Sequence, residues 1–261
     1  MSYSESAPGP RLAPFVERVC FSSDDTLGPA PAVRVVPDGA VDVLFSVAPG
    51  GACSAEAFGV KTRALWVASE GPRENVALRL RAGAAARLFG VSAAELTDRA
   101  VSLEDLAGAP ARDWCERVAE ASDSAARHAA VASGFGAWAA RGARELDADD
   151  ALLCAAVASI RRARGALSIA ALAESLGLGA RRLERLFRSR IGVTPKGFAR
   201  IARFFAAYES LRGGGEPLDV ALARGYFDQA HLNRDFRELA GAPPRRIFPS
   251  ESSGAGDSLR A

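Results

Sequence analysis

Residues 225–241 read GYFDQAHLNRDFRELAG and contain His231, one of only two histidines in the chain. On a helix that begins at Asp228, three apolar residues fall at i, i+4 and i+7 and mark one stripe: Leu232, Phe236 and Leu239. The other face carries mostly long or amide-bearing side chains that are rich in hydrogen-bond donors, with Asp235 among them. The stretch therefore predicts an amphipathic helix whose polar face is available for recognition.

The pattern of this helix occurs twice in the chain at one internal spacing. Leu183-x-Arg185-x-Phe187-x4-Gly192-x2-Pro195 recurs, 49 residues later, as Leu232-x-Arg234-x-Phe236-x4-Gly241-x2-Pro244. A short apolar helix and a glycine precede each copy. Helix, glycine-containing turn and second helix make up the helix-turn-helix arrangement, in which the second helix can enter a DNA major groove.

Within each copy the leucine and the phenylalanine lie four residues apart, which predicts that they pack inward against the preceding helix. The arginine between them points elsewhere and can reach a phosphate or the acceptor pair of a guanine. We predict two groups of DNA-binding residues: Arg181, Arg182, Glu184 and Arg185 in the first copy, and Gln229, His231, Asn233 and Arg234 in the second. The alternatives are salt bridges between helices for Arg185 and Arg234 and a solvated surface position for His231.

The two copies resemble the AraC/XylS family of bacterial transcription regulators over about residues 165–248. The matching stretches are GLGARRLERLFRSRIGVTPKGFARIARF and GYFDQAHLNRDFRELAGAPP. The resemblance implies a seven-helix domain in which a long helix, at about residues 195–212, joins two helix-turn-helix units. Gly179 stands where the family often has a capping serine, and Leu232 replaces a frequent phenylalanine. Neither departure removes a groove-facing group.

The first part of the chain alternates β-type runs with turns and becomes helical from about residue 83 onward. RVVPDGAVDVLF, followed by LRLRAGAAARLFGVSAAELTDRAVSLEDL, resembles the cupin-like amino-terminal domain of a subgroup of these regulators. Such domains generally sense small molecules or mediate dimerisation. One group of residues has two open interpretations: the residues line a sensing cavity, or they are ordinary core aromatics and surface charges. The group is Phe45, Phe58, Trp66, Arg79 and Arg81.

The sequence thus predicts an α+β protein in three segments. A cupin-like domain with a helical extension occupies residues 1–148, a double helix-turn-helix domain occupies 149–249, and 250–261 form a disordered tail. Asp149 or Asp150 can cap the first helix of the second domain. The net charge is −6 over residues 1–150 and +8 over 151–261, which indicates that only the second half meets a polyanion such as double-stranded DNA.

Several classes of protein are disfavoured. The first 20 residues lack the features of a signal peptide, and no long apolar run occurs, so we expect a cytoplasmic protein without a membrane partner. Its four cysteines form no CxxC pair and are expected to be small buried hydrophobes. A lone His128 in the first half predicts no metal centre, and we expect no cofactor. Asp38 and Asp42 lack a nearby catalytic partner, which argues against an enzyme.

The leading hypothesis is a sequence-specific transcription regulator. One alternative is a cupin-like enzyme that the second half delivers to DNA, and another is an interaction adaptor that no longer binds DNA. RNA polymerase, a small-molecule effector and a second copy of the chain are open as further partners.

Overall fold

The computed structural model describes residues 2–24, 30–69 and 71–249, and the predicted tail at 250–261 lies outside them. A β-rich first half with helices is followed by an all-helical second half, which confirms the predicted α+β class. The first half contains these strands: β1 (Ser2–Ser6), β2 (Val16–Asp24), β3 (Ala30–Val35), β4 (Asp42–Val47), β5 (Cys53–Phe58), β6 (Leu65–Ser69), β7 (Arg73–Leu80) and β8 (Ala100–Ser102).

Six of these strands form one antiparallel sheet in the order β1-β2-β7-β4-β5-β8, and β3 pairs with β6 in a separate ribbon. Burial alternates along β4, where Val43, Phe45 and Val47 point inward. Such a period of two is what a strand with one face on the core requires. The inner face of the sheet is covered by helices of the same half.

The first half also contains helices, most of them short. They are α1 (Ala84–Phe89), α2 (Leu103–Ala107), α3 (Ala109–Ala119) and α4 (Ser124–Gly142), with a 3₁₀ turn at Ala93–Glu95. The expectation of helix from residue 83 onward is wrong at Ala100–Ser102, which pairs with β5 as strand β8. Gly90 ends α1 in the left-handed region, and the open edge of β5 then offers backbone partners that a local pattern cannot reveal.

Large aromatic side chains fill the core of the first half. Trp114 on α3 packs edge-on against Phe45, with ring centroids 5.4 Å apart, and lies 5.8 Å from Phe135 on α4. Gly134 permits this packing, because a Cβ atom there would overlap the Trp114 indole. The sheet and the α3–α4 pair are therefore fixed to each other by one aromatic cluster.

The second half contains seven helices within the described residues, as the family resemblance implied. They are α5 (Ala148–Arg162), α6 (Ile169–Ser175), α7 (Ala180–Arg190), α8 (Pro195–Arg212), α9 (Pro217–Ala223), α10 (Gln229–Ala240) and α11 (Pro244–Ile247). The predicted joining helix at 195–212 is confirmed as α8. Ser168, Thr194 and Asp228 cap α6, α8 and α10 through their side-chain oxygens.

The cap of α5 differs from the prediction. Asp147, rather than Asp149 or Asp150, is the N-cap, and it accepts a hydrogen bond from the Asp150 backbone N–H at 2.8 Å. The Asp150 carboxylate accepts one from the Asp147 backbone N–H at 3.1 Å, which completes a reciprocal capping box. The helix thus begins one residue before the predicted domain boundary.

The cysteines also differ from the prediction, since none of the four is buried. Cys20, Cys53 and Cys115 are half-buried, and Cys154 is exposed. Cys154 lies on the solvent side of α5, because Leu153, Val157 and other apolar residues of that helix already supply its inward stripe.

Several contacts join the two halves. Thr97 donates a hydrogen bond from its hydroxyl to the Gly192 carbonyl at 2.9 Å, just beyond α7. Gly192 has φ 104, and a Cβ atom there would lie 2.4 Å from the Thr97 hydroxyl, so only glycine fits this approach. Arg190 at the end of α7 binds Asp147 at 2.7 Å, and its hydrogen bonds hold the pKa of that carboxyl well below its ordinary value. The first helix-turn-helix unit is therefore in contact with the first half.

Candidate nucleic-acid interface

The repeated leucines and phenylalanines hold each recognition helix in place. Leu183, Phe187, Leu232 and Phe236 are fully buried, which confirms their predicted inward packing. Phe187 on α7 packs edge-on against Phe198 near the start of α8, with centroids 5.9 Å apart. Phe236 on α10 packs in the same way on Phe204, at 4.9 Å. Both recognition helices, α7 and α10, are thus anchored to one central helix.

The structure separates the four predicted residues of α7 into two kinds. Arg181 and Arg185 are exposed, and their side chains form no ion pair with any residue that the structure describes. Arg182 binds the Asp149 carboxylate on α5 at 2.7 Å, so this predicted DNA-binding residue is paired within the protein. Glu184 accepts from Arg188 at 3.0 Å, four residues further along the same helix. Of these four residues, only Arg181 and Arg185 therefore have side chains without an ion pair to a described residue. These two can contact DNA without first breaking a salt bridge.

His231 on α10 is held by the turn that precedes the helix. Its backbone N–H donates to the Asp228 carboxylate at 2.6 Å, and its Nδ1 accepts from the Phe227 backbone N–H at 3.4 Å. The imidazole stands edge-on to the Tyr226 ring, with centroids 5.1 Å apart. Because Nδ1 accepts, the neutral ring carries its proton on Nε2, which is thereby a donor for an outside acceptor.

The other predicted residues of α10 lie on the same accessible face. Gln229 and Asn233 are half-exposed, and Arg234 is exposed. Arg234 makes no salt bridge with any residue in the described part of the chain, which matches Arg185 at the equivalent place of the first unit. The structure thus brings the four predicted residues of the second unit together at the amino-terminal part of one helix.

Asp235 does not belong to this polar face, although its position among polar residues suggested so. It is buried and binds Arg200 of α8 at 2.8 Å and Arg203 of α8 at 3.4 Å. The Arg203 guanidinium also lies over the Tyr226 ring, 4.7 Å from its centroid. A buried carboxylate needs such partners, so Asp235 ties α10 to α8 and contributes no group to the recognition surface.

Phe227, which the sequence analysis did not single out, is 88% exposed directly before the cap of α10. A hydrophobic residue at this place commonly packs against the fourth residue of the helix, here Leu232. Leu232 is instead fully buried, and Phe227 faces solvent. No sequence signal distinguishes this exposed ring from a packed one, because the difference arises only from the tertiary packing of α8, α9 and α10.

The amino-terminal ends of the two recognition helices differ. The cap residue of α7 is Gly179, which offers no side-chain acceptor, so the first backbone N–H groups of that helix are open to an outside anion. In α10 the Asp228 carboxylate already takes the N–H of His231. Phosphate is therefore favoured at the start of α7, whereas a negative charge already stands at the start of α10.

The candidate cavity residues of the first half do not form one site. Phe45 is buried in the aromatic core, whereas Trp66 is exposed on β6 beneath Arg34. Arg79 binds Asp38 at 2.6 Å and Asp42 at 3.1 Å, so these carboxylates form ion pairs with an arginine. Phe58 lies beside Lys61, and Arg81 donates to the Ala13 carbonyl at 2.7 Å.

His128 packs its ring on Phe21, with centroids 3.7 Å apart. Within the described ranges, the side chains group no three potential metal ligands together. No helix in that part of the chain is long and apolar enough to cross a membrane.

Two family models match the chain. A helix-turn-helix domain matches residues 172–249, which include both recognition helices. Those residues form an AraC-type helix-turn-helix domain. A domain of unknown function, DUF6597, matches residues 4–102. The protein is thus a DNA-binding regulator whose second half contains an AraC-type helix-turn-helix domain, and neither match supports the enzyme or the adaptor alternative.

Solved structures of ToxT from Vibrio cholerae match the chain at low identity. The P21 crystal form is 11% identical, with 95% of this chain and 98% of that one covered and a TM-score of 0.45. An apo variant from strain SCE256 is 13% identical over 88% and 96%, with a TM-score of 0.43. Wild-type ToxT with a bound unsaturated fatty acid is 11% identical over 92% and 97%, with a TM-score of 0.42. No curated protein matches this chain.

Proposed function

We propose that one chain reads a non-palindromic DNA site by placing α7 and α10 in successive major grooves. The observation that carries this proposal is that both recognition helices pack on one helix, α8, and each presents an accessible polar face. The two units form a direct repeat, so a single chain imposes no twofold symmetry on its site. Paired half-sites of a symmetric dimer are therefore not required.

The length of α8 is compatible with this mode. Its 18 residues span about 27 Å at roughly 1.5 Å per residue. Successive major-groove faces on one side of B-DNA are roughly 34 Å apart. Tilting of the units or modest bending of the DNA supplies the difference.

Within this mode the residues have separate tasks. Arg181, Arg185 and Arg234 form no ion pair with the described residues and reach for bases or phosphates, whereas Arg182 and Glu184 change partners only if DNA outcompetes Asp149 and Arg188. The Nε2 proton of His231, together with Gln229 and Asn233, supplies hydrogen bonds to the second groove. Phe227 adds an apolar contact, of the kind that thymine methyl groups or unstacked bases accept.

The two halves of the chain have different roles in this proposal. The DNA-binding part extends over residues 149–249, preceded by a regulatory part at 1–148, and a fragment meant to retain all of α5 has to include Asp147. A cavity of about 260 Å³ at the junction of the halves is a place for a small-molecule effector, and two of its arginines, Arg79 and Arg161, are already paired with Asp38 and Glu17 on the same wall. RNA polymerase and a second copy of the chain are further partners, and the protein works in the cytoplasm.

Footprinting of the full chain on its DNA site tests the two-groove mode. We expect two protected blocks about 10 base pairs apart, centre to centre, because each unit occupies one major groove on the same side of the duplex. A double variant with His231→Ala and Asn233→Ala should show weaker protection, or a relaxed base preference, at one block only.

The matched control is Arg181→Ala together with Arg185→Ala, which should affect the other block. The thermal stability of both variants is to be measured alongside the footprints. A single protected block in the parent chain, or equal loss at both blocks from a folded variant, would show that the two units do not read separate grooves.

Single arginine variants distinguish DNA contact from structural support. Arg185→Ala or Arg234→Ala should weaken specific binding by about 1–3 kcal/mol if the arginine reads a guanine. Their melting temperatures should stay near that of the parent, because neither side chain forms an ion pair in the described structure. Binding is measured by titration with labelled DNA at fixed salt. An early-melting Arg234→Ala protein with unchanged affinity would favour the structural role.

A further inference from the structure

Two cysteines that are far apart in the sequence meet in the first half. Cys53 is the first residue of β5, and Cys115 lies in the middle of α3. Both thiols line one cavity of about 560 Å³, whose walls include Ala55 of the strand together with Ala111 of the helix. The cavity gives a small reagent access to two half-buried sulfur atoms.

The backbone arrangement explains why the thiols face each other. Ala111, Cys115 and Ala119 recur every four residues and form one stripe of α3, which the small alanines allow to lie close to β5. The turn before β5 also reaches the end of the helix, since a Cβ atom on Gly51 would lie 3.5 Å from the Ala119 carbonyl oxygen. Cys115 lies one helical turn before Ala119 and Cys53 two residues after Gly51, so this approach sets the two thiols side by side, and the Cys53 thiol donates to the Ser54 carbonyl at 3.8 Å.

The two neighbouring thiols are chemically unequal. The Cys53 thiol lowers the pKa of Cys115 although burial opposes this, whereas Cys115 and burial raise the pKa of Cys53. Glu104 opposes the effect on Cys115, and Arg127 opposes it on Cys53. The other charged groups on the cavity wall are Glu56, Arg112 and Glu116, and Arg112 is itself paired with Glu104. Cys115 is thus the nucleophile that reacts first, and Cys53 is the thiol that reacts with oxidised Cys115 in the second step.

We infer that Cys53 and Cys115 form an oxidisable dithiol, a modification site that hydrogen peroxide converts into a disulfide. The Cys115 thiolate attacks one peroxide oxygen, the O–O bond breaks, and the departing hydroxide takes up a proton to form water. The Cys53 sulfur then attacks the Cys115 sulfenic acid, the S–O bond breaks, and the Cys53 proton leaves with the hydroxide as water. The two sulfur atoms lose two electrons in total, and one peroxide gives two waters.

The disulfide covalently links β5 to α3 within the first half. Cys154, which is the only cysteine classed as exposed among the described residues, lies on α5 and serves as an internal control. If exposure alone governed oxidation, Cys154 would react first. If the paired geometry governs it, Cys115 reacts first and links to Cys53.

The test treats the reduced, full-length protein with hydrogen peroxide and maps its cysteines by non-reducing digestion and mass spectrometry. We expect a Cys53–Cys115 linked peptide in the parent and in the Cys154→Ser variant. Cys53→Ser should stop at a Cys115 sulfenic acid, detected as a dimedone adduct, whereas Cys115→Ser should leave Cys53 reduced. The parent measurement decides even if a variant fails to fold. Dimedone labelling of Cys154 ahead of Cys115, or a parent protein without the Cys53–Cys115 link, would overturn the inference.

Discussion

Raising the salt concentration from about 50 mM to about 200 mM should weaken DNA binding by a factor of roughly 10³ to 10⁵, provided that the two units contact about 6–10 phosphates. The physical reason is counterion release, since each neutralised phosphate frees a condensed cation whose entropy gain shrinks as the bulk salt rises. The charge of +8 after residue 150, against −6 before it, makes the second half the source of this effect. The measurement is a titration of labelled DNA at several salt concentrations.

A single-residue comparison locates the phosphate contacts. Arg181→Ala should reduce the slope of log affinity against log salt by about 1 if this side chain meets a phosphate at the start of α7. Lys61→Ala, which changes a charge on the first half, is the matched control and should leave the slope unchanged. Affinity that does not vary with salt would contradict a mode of binding based on phosphates.

Truncation of a repeated phenylalanine should have the largest effect on stability. Phe236→Ala and Phe187→Ala are each expected to lower the free energy of unfolding by about 3–5 kcal/mol, because both rings are fully buried and their removal leaves a cavity against α8. Chemical denaturation followed by circular dichroism measures the change. Loss of DNA binding should accompany unfolding, with no change in base preference among molecules that remain folded.

Phe227→Ala is the matched control, because the same residue type lies nine positions earlier on the surface. We expect its stability to stay within about 0.5 kcal/mol of the parent, as for most surface substitutions. Its DNA affinity should fall nevertheless if the ring contacts DNA. A large loss of stability at Phe227, or none at Phe236, would mean that the packing of the second unit is not as described.

The sequence located the second half closely because its signals are local. The spacing of Leu232 and Phe236, the capping residues Ser168, Thr194 and Asp228, and Pro195 at the start of α8 all act within one turn of their own helix. The repeat then identified a second stretch with the same pattern, and this comparison needed no information about tertiary contacts. The recognition residues followed from the same periodicity, and their DNA contacts stay predictions.

The tertiary structure decided features that depend on partners distant in the chain. Strand β8 exists because β5 presents an open edge to Ala100–Ser102, and Asp235 turns inward because Arg200 and Arg203 of α8 compensate its buried charge. Likewise, the Arg182 guanidinium forms a salt bridge with Asp149, and Cys53 of β5 lines the same cavity as Cys115 of α3. Amphipathic periodicity and capping are encoded in neighbouring residues, so the sequence determined the helices and the repeat. Edge pairing, charge compensation and thiol proximity require the packed chain, because their free energies arise between groups that only folding brings together.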